Sequence, residues 1–435
     1  MRSIDGLTRR QMIFGGLAGI AGLSLPQLLR LQAQSAELGV TKTDTAVIYV
    51  LQEGGAPQHE TWDPKPLAPI EMRGAFEAIG TKIPGVQFCE LMPEQAKIAD
   101  KLTILRSIHH PSTQHSSSVH LIKSGYYCSP PANDNEMPSI GSYVSRMRGS
   151  VEPGVPPYVS LNGARYGQAM WLGSGHNPFQ VDANPNDKSF SVPNLTLIDG
   201  LNSERLSNRR ALLAGLDAAR RIQDTRGLSD GIDHFRTSAL EMVTGSAARE
   251  AFNLDAEPAN VRDRYGRHEV GQRLLLARRL VERGVTFVSV GTFNWDYHGD
   301  LVVQMKRDTP AFDRGLAALI SDIHERGLAK KVLVVAMGEF GREPRMTTIN
   351  GLPPGREHWG DVMSVLMAGG GLPGGQVVGA SDDRGGSPAE RPYRLECVLA
   401  HMYRHLGIDP GLTFNDYNGR PRYLLEIRNR IEELA

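Results

Sequence analysis

A chain of 435 residues with 40% apolar and 22% charged side chains carries enough apolar material for a large buried core, which excludes disordered and fibrous classes. Lysine plus arginine equals aspartate plus glutamate at 48 each, so no global field draws the protein to nucleic acid or to an anionic membrane surface. Three cysteines, Cys89, Cys128 and Cys397, form no CxxC pair of the kind that marks zinc or redox motifs. One disulfide is compatible with an oxidising compartment, and three free thiols are the simpler reading.

In chain order, Thr8-Arg9-Arg10-Gln11-Met12 leads into an apolar run from Met12 to Leu29. The run holds Gly15, Gly16, Gly19, Gly22 and Pro26 and is short for a spanning helix of roughly 20 residues, so the paired arginines read as a twin-arginine export signal. Small residues at Ala33 and Ser35 place cleavage near position 36, dividing the chain into a signal, 1–36, and one α/β domain, 37–435. Removing Arg2, Arg9, Arg10, Arg30 and Asp5 leaves 44 basic and 47 acidic residues, net −3. The expectation is a folded chain handed to the twin-arginine translocase and a periplasmic or extracellular location. No later segment is apolar for long enough to span a membrane.

Six short apolar runs follow: Thr45 to Leu51, Leu102 to Ile108, Tyr158 to Leu161, Thr286 to Val290, Lys331 to Met337 and Val362 to Ala368. Their unbroken apolar character predicts strands covered on both faces and paired in parallel. Helical spacing over Asp308 to Gly327 and over Arg394 to Leu406 supplies covering layers. The stretch 163–259 offers no convincing strand and reads as a mainly helical insertion over one end of the sheet.

Ligands in such sheets bind beyond the carboxyl ends of the strands. There the chain places Gln52, Glu53, His59, Glu60 and Asp63; then His109, His110, His115 and His120; then Asn294-Trp295-Asp296-Tyr297-His298-Gly299-Asp300; then Glu339-Phe340-Gly341-Arg342 and Arg356-Glu357-His358-Trp359. Imidazoles and carboxylates converging from several strand ends suit a divalent metal, and Asp296, His298, Glu339 and His358 are the leading ligands. Bland readings take the remaining features. Trp62-Asp63-Pro64 is a turn with a packed indole. Arg264, Arg267, Arg278, Arg279 and Arg283 are solvated or ion-paired. His401 and His405 form a surface face, and Gly369-Gly370-Gly371 is a turn.

Several stretches resemble the exported bacterial family known as domain of unknown function 1501: GGAPQHETWDPKP (Gly54 to Pro66), ADKLTILRSIHH (Ala99 to His110), RDRYGR (Arg262 to Arg267) and LLLARRLVERGVTFV (Leu274 to Val288). NWDYHGD (Asn294 to Asp300), VVAMGEFGREPR (Val334 to Arg345), REHW (Arg356 to Trp359) and GGGLPGGQVVGASD (Gly369 to Asp382) extend the likeness over essentially the whole chain after the signal. That family looks like a remote branch of the alkaline phosphatase/sulfatase superfamily. The resemblance implies a three-layer α/β sandwich with a mostly parallel sheet, helices on both faces and a helical insertion, holding one or two divalent metals at its strand ends.

Departures matter. Where the superfamily has Asp-His-Gly, this chain has Glu339-Phe340-Gly341, and Phe340 removes an imidazole. Glu53 aligns with an acidic metal ligand at the end of the first strand. Nine residues before Ser124-Gly125, where the superfamily carries its nucleophile, stands His115, which would form a phospho-enzyme or serve as a further ligand. A small slip would instead select Thr113, Ser116, Ser117 or Ser118. No Cys-x-Pro-x-Arg motif is present, which argues against a formylglycine sulfatase. The implied function is metal-dependent hydrolysis of a phosphate or sulfate ester, small or part of a polysaccharide, with Zn, Mn, Ca or Fe as the metal and Arg342, Arg356 or Lys123 countering the growing charge. The alternative is an inactive protein that binds a ligand or partner on the same fold.

Overall fold

The structure is a computed structural model that describes residues 43–129, 134–163, 165–192, 195, 241–242, 245–348 and 351–434. The stretch read as an export signal and most of the middle of the stretch read as an insertion lie outside the described residues.

All six apolar runs form strands, within a residue or so of the expected bounds: β1 (Ala46–Leu51), β2 (Leu102–His109), β3 (Tyr158–Leu161), β5 (Phe287–Gly291), β6 (Val332–Met337) and β9 (Met363–Gly369). The shorter strands that extend the main sheet or position the site are β4 (Phe179–Val181), β7 (Gly341–Arg342), β8 (His358–Trp359), β10 (Gln376–Val378) and β11 (Tyr393–Arg394). The central nine-stranded sheet runs β10-β2-β9-β6-β1-β5-β3-β4, with β11 beside β2. Every pairing in it is parallel except those of β9, which is antiparallel to both β2 and β6. Strand β4 corrects the expectation of a strandless insertion: three residues within 163–259 pair with β3 at the sheet edge.

Alternate residues divide between two cores because side chains leave a strand on opposite faces. Ile48, Val50, Val288, Val290, Val334 and Ala336 face helices α5 (Glu269–Glu282) and α6 (Leu301–Glu325), which α1 (Pro93–Lys97) and α4 (Ala259–Tyr265) flank, and Leu276, Leu280, Phe312, Leu316 and Leu319 are buried there. Val47, Tyr49, Leu51, Phe287, Leu333 and Val335 face α2 (His115–Ser124), α3 (Ile140–Met147) and α7 (Leu395–His405). The three-layer sandwich with a mostly parallel sheet is therefore as expected. Each fully buried Val, Leu or Ile adds roughly 1.5–3 kcal/mol, so burial on two faces selects the unbroken apolar runs.

Helix α6 begins seven residues before the predicted start, passing through Pro310, after Asp300 adopts a left-handed conformation at φ 51°. Arg278 and Arg279 are buried ion pairs: Arg278 meets Glu257 and Glu282 at 2.6 Å each and Asp322 at 3.0 Å, while Arg279 pairs with Glu257. His405 reaches the backbone oxygens of Ala46 and Lys331 at the amino end of the sheet, so it is not the surface group expected. Trp62 is buried, and its indole N–H donates to Gln95 at 2.9 Å. Among the described residues no helix is long and apolar enough to cross a membrane, and the three cysteines are buried and free.

Candidate metal centre

Three segments deliver the site, beyond the carboxyl ends of β2, β5 and β6. His115 is the first residue of α2, the helix that follows β2. Asp296 and His298 follow β5 in a segment that alternates: Trp295 and Tyr297 are buried, with side chains donating to Thr292 (3.0 Å) and Asp308 (2.7 Å). The alternation leaves Asp296 and His298 on the open side, at 27% and 32% side-chain exposure. His358 comes from β8, which pairs with β7 so that His358 stands opposite Arg342.

His115, Asp296, His298 and His358 offer ligand atoms that all lie within 4.8 Å of one another. His298 Nε2 and His358 Nε2 are 2.9 and 3.0 Å from Asp296 Oδ1 and 3.0 Å from each other. His115 Nε2 is 3.2 Å from Asp296 Oδ2.

The far nitrogen of every ring is held. His358 Nδ1 is 2.8 Å from the Thr113 carbonyl oxygen, which only accepts, so Nδ1 carries the proton and a neutral ring turns a bare Nε2 lone pair inward. His298 Nδ1 donates to Glu357 and His115 Nδ1 to Glu339, each at 2.7 Å. This is how imidazoles are oriented for a cation. Burial opposes charge on His115, yet Asp296 and Glu339 outweigh it and raise the ring to about 9. Burial likewise opposes charge on Asp296, but His115, His358 and Arg342 hold its carboxyl far below the usual range.

Three imidazole nitrogens and one carboxylate fit a borderline divalent cation by donor chemistry. Four of the spacings, at 2.9–3.2 Å, lie near the about 3.3 Å that separates ligands around 2.0–2.1 Å from a shared centre in a tetrahedron, and the rest stay within 4.8 Å.

Glu339 lies one layer behind the cluster. Fully buried, it accepts the Gly54 backbone N–H at 2.8 and 2.9 Å and holds His115. Gly54 has φ 104°, and a Cβ there would stand 2.6 Å from the Asp296 backbone nitrogen, so only glycine brings this loop so close. Glu53 turns away to Lys123 at 2.7 Å. Arg342 is also a backing residue: its guanidinium reaches Asp296 (2.6 Å) and the carbonyls of Gly54, Gly55 and Arg356. Arg356 is caged by Glu60, and Lys123 by Glu53, Gly163 and Arg165. Lys123 and Arg356 thus spend their donors away from the cluster, and Arg342 meets it at Asp296. Phe340 supplies an apolar wall, its ring centroid 4.4 Å from that of His358.

The other strand-end residues serve the fold. His59 bonds the Arg384 carbonyl, Asp63 pairs with Lys65 and Arg106, and His120 bonds Tyr126 and Glu136. His110 accepts from Ser112 at Nδ1 and donates from Nε2 to the Glu339 carbonyl at 2.6 Å, while burial lowers its pKa to about 4. Ser117 and Ser118 hydroxyls are spent on Cys128 and Ser112. Glu357 and the Thr113 carbonyl were missed as supports; the adjacency Glu357-His358 was the available signal.

Residues 44–435 match the family model described as Protein of unknown function (DUF1501). The chain belongs to this family. No curated protein matches it in sequence. Among solved structures it is similar to the PsFucS1 sulfatase from Pseudoalteromonas sp. at 16% identity, covering 94% of this chain and 75% of that one, TM-score 0.45. It is also similar to Ps i-CgsB in complex with k-i-k-neocarrahexaose, at 9% identity, 84% and 73% coverage, TM-score 0.40. The alkaline phosphatase from the Antarctic bacterium TAB5 matches at 8% identity, 84% and 99% coverage, TM-score 0.40.

Proposed function

We propose that this member of the family is an exported, metal-dependent hydrolase of phosphate or sulfate esters. The observation that carries the reading is the convergence of three imidazole Nε2 atoms on Asp296 while each Nδ1 is tied to an acceptor. Without a cation or extra protons, those lone pairs and a carboxylate would repel one another at these distances. The nitrogen-rich donor set favours Zn, Mn or Fe over Ca, which prefers an all-oxygen shell.

When bound, a divalent cation supplies Lewis acidity, polarising an ester oxygen and easing deprotonation of a water. The protein's own share is positional. Glu339, Glu357 and Thr113 fix the rings, Arg342 and His358 fix Asp296, and Phe340 keeps one wall dry. Side-chain exposures of 20–33% leave one side of the cluster open to a substrate. The ester class follows from the resemblance of the strand-end motifs to the superfamily, and a polysaccharide ester outside the cytoplasm fits an exported chain. Passage through the twin-arginine translocase belongs to the same proposal and rests on Arg9 and Arg10.

A second reading, a binding protein on the same fold, is favoured by the engagement of Arg342, Arg356 and Lys123 within the structure. Elemental analysis of protein purified without chelator separates the outcomes. One equivalent of transition metal in the wild type, lost in His358→Ala and weakened in Glu339→Ala, with turnover across an ester panel, is expected of the hydrolase. Stoichiometric metal without turnover selects the binding protein, and a metal-free wild type after incubation with Zn²⁺ and Mn²⁺ ends the hydrolase reading and leaves a binding protein that holds no metal.

A further inference from the structure

Among the described residues, the groups bonded to the four donors set the formal charge of the cluster. Asp296 contributes a carboxylate itself; Glu339 and Glu357 add two more through His115 and His298; Thr113 adds only a neutral carbonyl. Against these three carboxylates stands the single guanidinium of Arg342. With the three rings neutral, as holding a cation requires, the formal charge is −2, and a divalent cation brings it to zero.

Neighbouring cations do not tip the balance. Buried Lys123 is neutralised by the part-exposed Glu53 at 2.7 Å, and Arg356 by Glu60 at 2.7 Å in a pair buried on both sides, and the remaining donors of both cations go to backbone carbonyls. A dianionic substrate would thus enter a site whose one guanidinium counter-charge among the described residues is already outnumbered by Asp296, Glu339 and Glu357, and of these the fully buried Glu339 is the least screened by solvent. One negative charge can be met by the cation with Glu357 or Glu339 left as the outer counter-ion.

Building on the metal-dependent ester hydrolase reading, we infer that the site is tuned for monoanionic esters, meaning sulfate monoesters or phosphodiesters, and discriminates against dianionic phosphate monoesters. Glu357, at 41% side-chain exposure and 2.7 Å from His298, is the adjustable element of this selectivity.

The full-length protein, loaded with Zn²⁺ and checked by elemental analysis, is titrated calorimetrically at pH 8 with dimethyl phosphate, methyl sulfate and methyl phosphate. Hydrolysis of bis(4-nitrophenyl) phosphate, 4-nitrophenyl sulfate and 4-nitrophenyl phosphate is measured in parallel. At least one monoanion is expected to bind about tenfold or more tightly than methyl phosphate. Affinity for methyl phosphate should rise as pH falls through its second ionisation near about 6. Glu357→Gln should narrow the gap, whereas Glu357→Asp keeps it. Equal or tighter binding of methyl phosphate at pH 8 by metal-loaded protein, or no binding of any probe, overturns the charge selectivity while leaving the metal site standing. Absence of metal in the loaded preparation instead overturns the reading on which it rests.

Discussion

At the scale of single residues, the site depends on groups that never face it. Arg356 and Glu60 are both buried, at 0% and 1% exposure, and pair through two nitrogens, with the Arg356 guanidinium also holding the carbonyls of Met72, Glu343 and Pro344. This pair pins the chain immediately before Glu357 and His358. Gly355 adds to the lock, because a Cβ there would stand 2.2 Å from the His298 carbonyl carbon. Removing one partner of a buried ion pair strands the other without solvent or counter-charge, a loss of about 3–5 kcal/mol. Glu60→Ala is therefore expected to destabilise the protein by that amount in urea unfolding and to loosen metal binding through His358. A loss below about 1 kcal/mol would mean that water reaches Arg356 and the pair is not the anchor described.

At the scale of elements, the helix α1 (Pro93–Lys97) shows how a buried carboxylate serves as a remote cap. Its first free N–H groups, on Glu94 and Gln95, donate at 2.8 Å to the two oxygens of Asp313 on α6, and Gln95 in turn accepts from Trp62. Burial dominates and pushes the Asp313 carboxyl from its ordinary 3.8 up to about 7, although both N–H bonds pull the other way. With the folded-state value raised above the unfolded one, the stability linked to this group is fully present below about pH 4 and is lost as pH rises through about 7. Asp313→Asn should flatten that slope, so the wild-type minus variant stability difference, from urea curves at pH 4.5 to 8, should fall as pH rises. A difference that stays constant would show that Asp313 titrates normally. The same elements explain what could be read in advance. Strands β1, β2, β3, β5, β6 and β9 were legible because burial on both faces leaves unbroken apolar runs. Strands β4 and β11 were not, because three or two residues carry no periodicity and their pairing is decided by tertiary contact. The start of α6 was hidden by Pro310, which reads as a first-turn residue though the helix passes through it. Asp296, His298 and His358 were legible as strand-end groups, and the Trp295/Tyr297 alternation fixes which side they take. Glu339 and Glu53 were inseparable from ligands, since a carboxylate after a strand end can hold a cation, a histidine or a lysine, and only side-chain direction decides among them.

At the scale of the whole molecule, the cluster ties together chain segments far apart in sequence: His115 after β2, Asp296 and His298 after β5, and His358 after β6. These segments reach one another only when β2, β9, β6, β1 and β5 stand side by side in the sheet. The four donors therefore exist as a set in the folded state alone, and any cation they hold is linked to folding. A ligand present at about 100 times its dissociation constant adds about 2.7 kcal/mol to stability. For a domain of this size each kcal/mol moves the midpoint of thermal unfolding by roughly 1–2 °C, extrapolating the inverse dependence on chain length. Stripping metal with a chelator should accordingly lower the midpoint of the wild type by roughly 3–5 °C, and adding Zn²⁺ or Mn²⁺ should restore it. His358→Ala removes one donor without touching the sheet, so its midpoint should no longer respond to chelator or metal. A wild type indifferent to both, at metal concentrations well above micromolar, would separate the four donors from any resident cation. A response that survives in His358→Ala would place the stabilising metal somewhere other than this cluster.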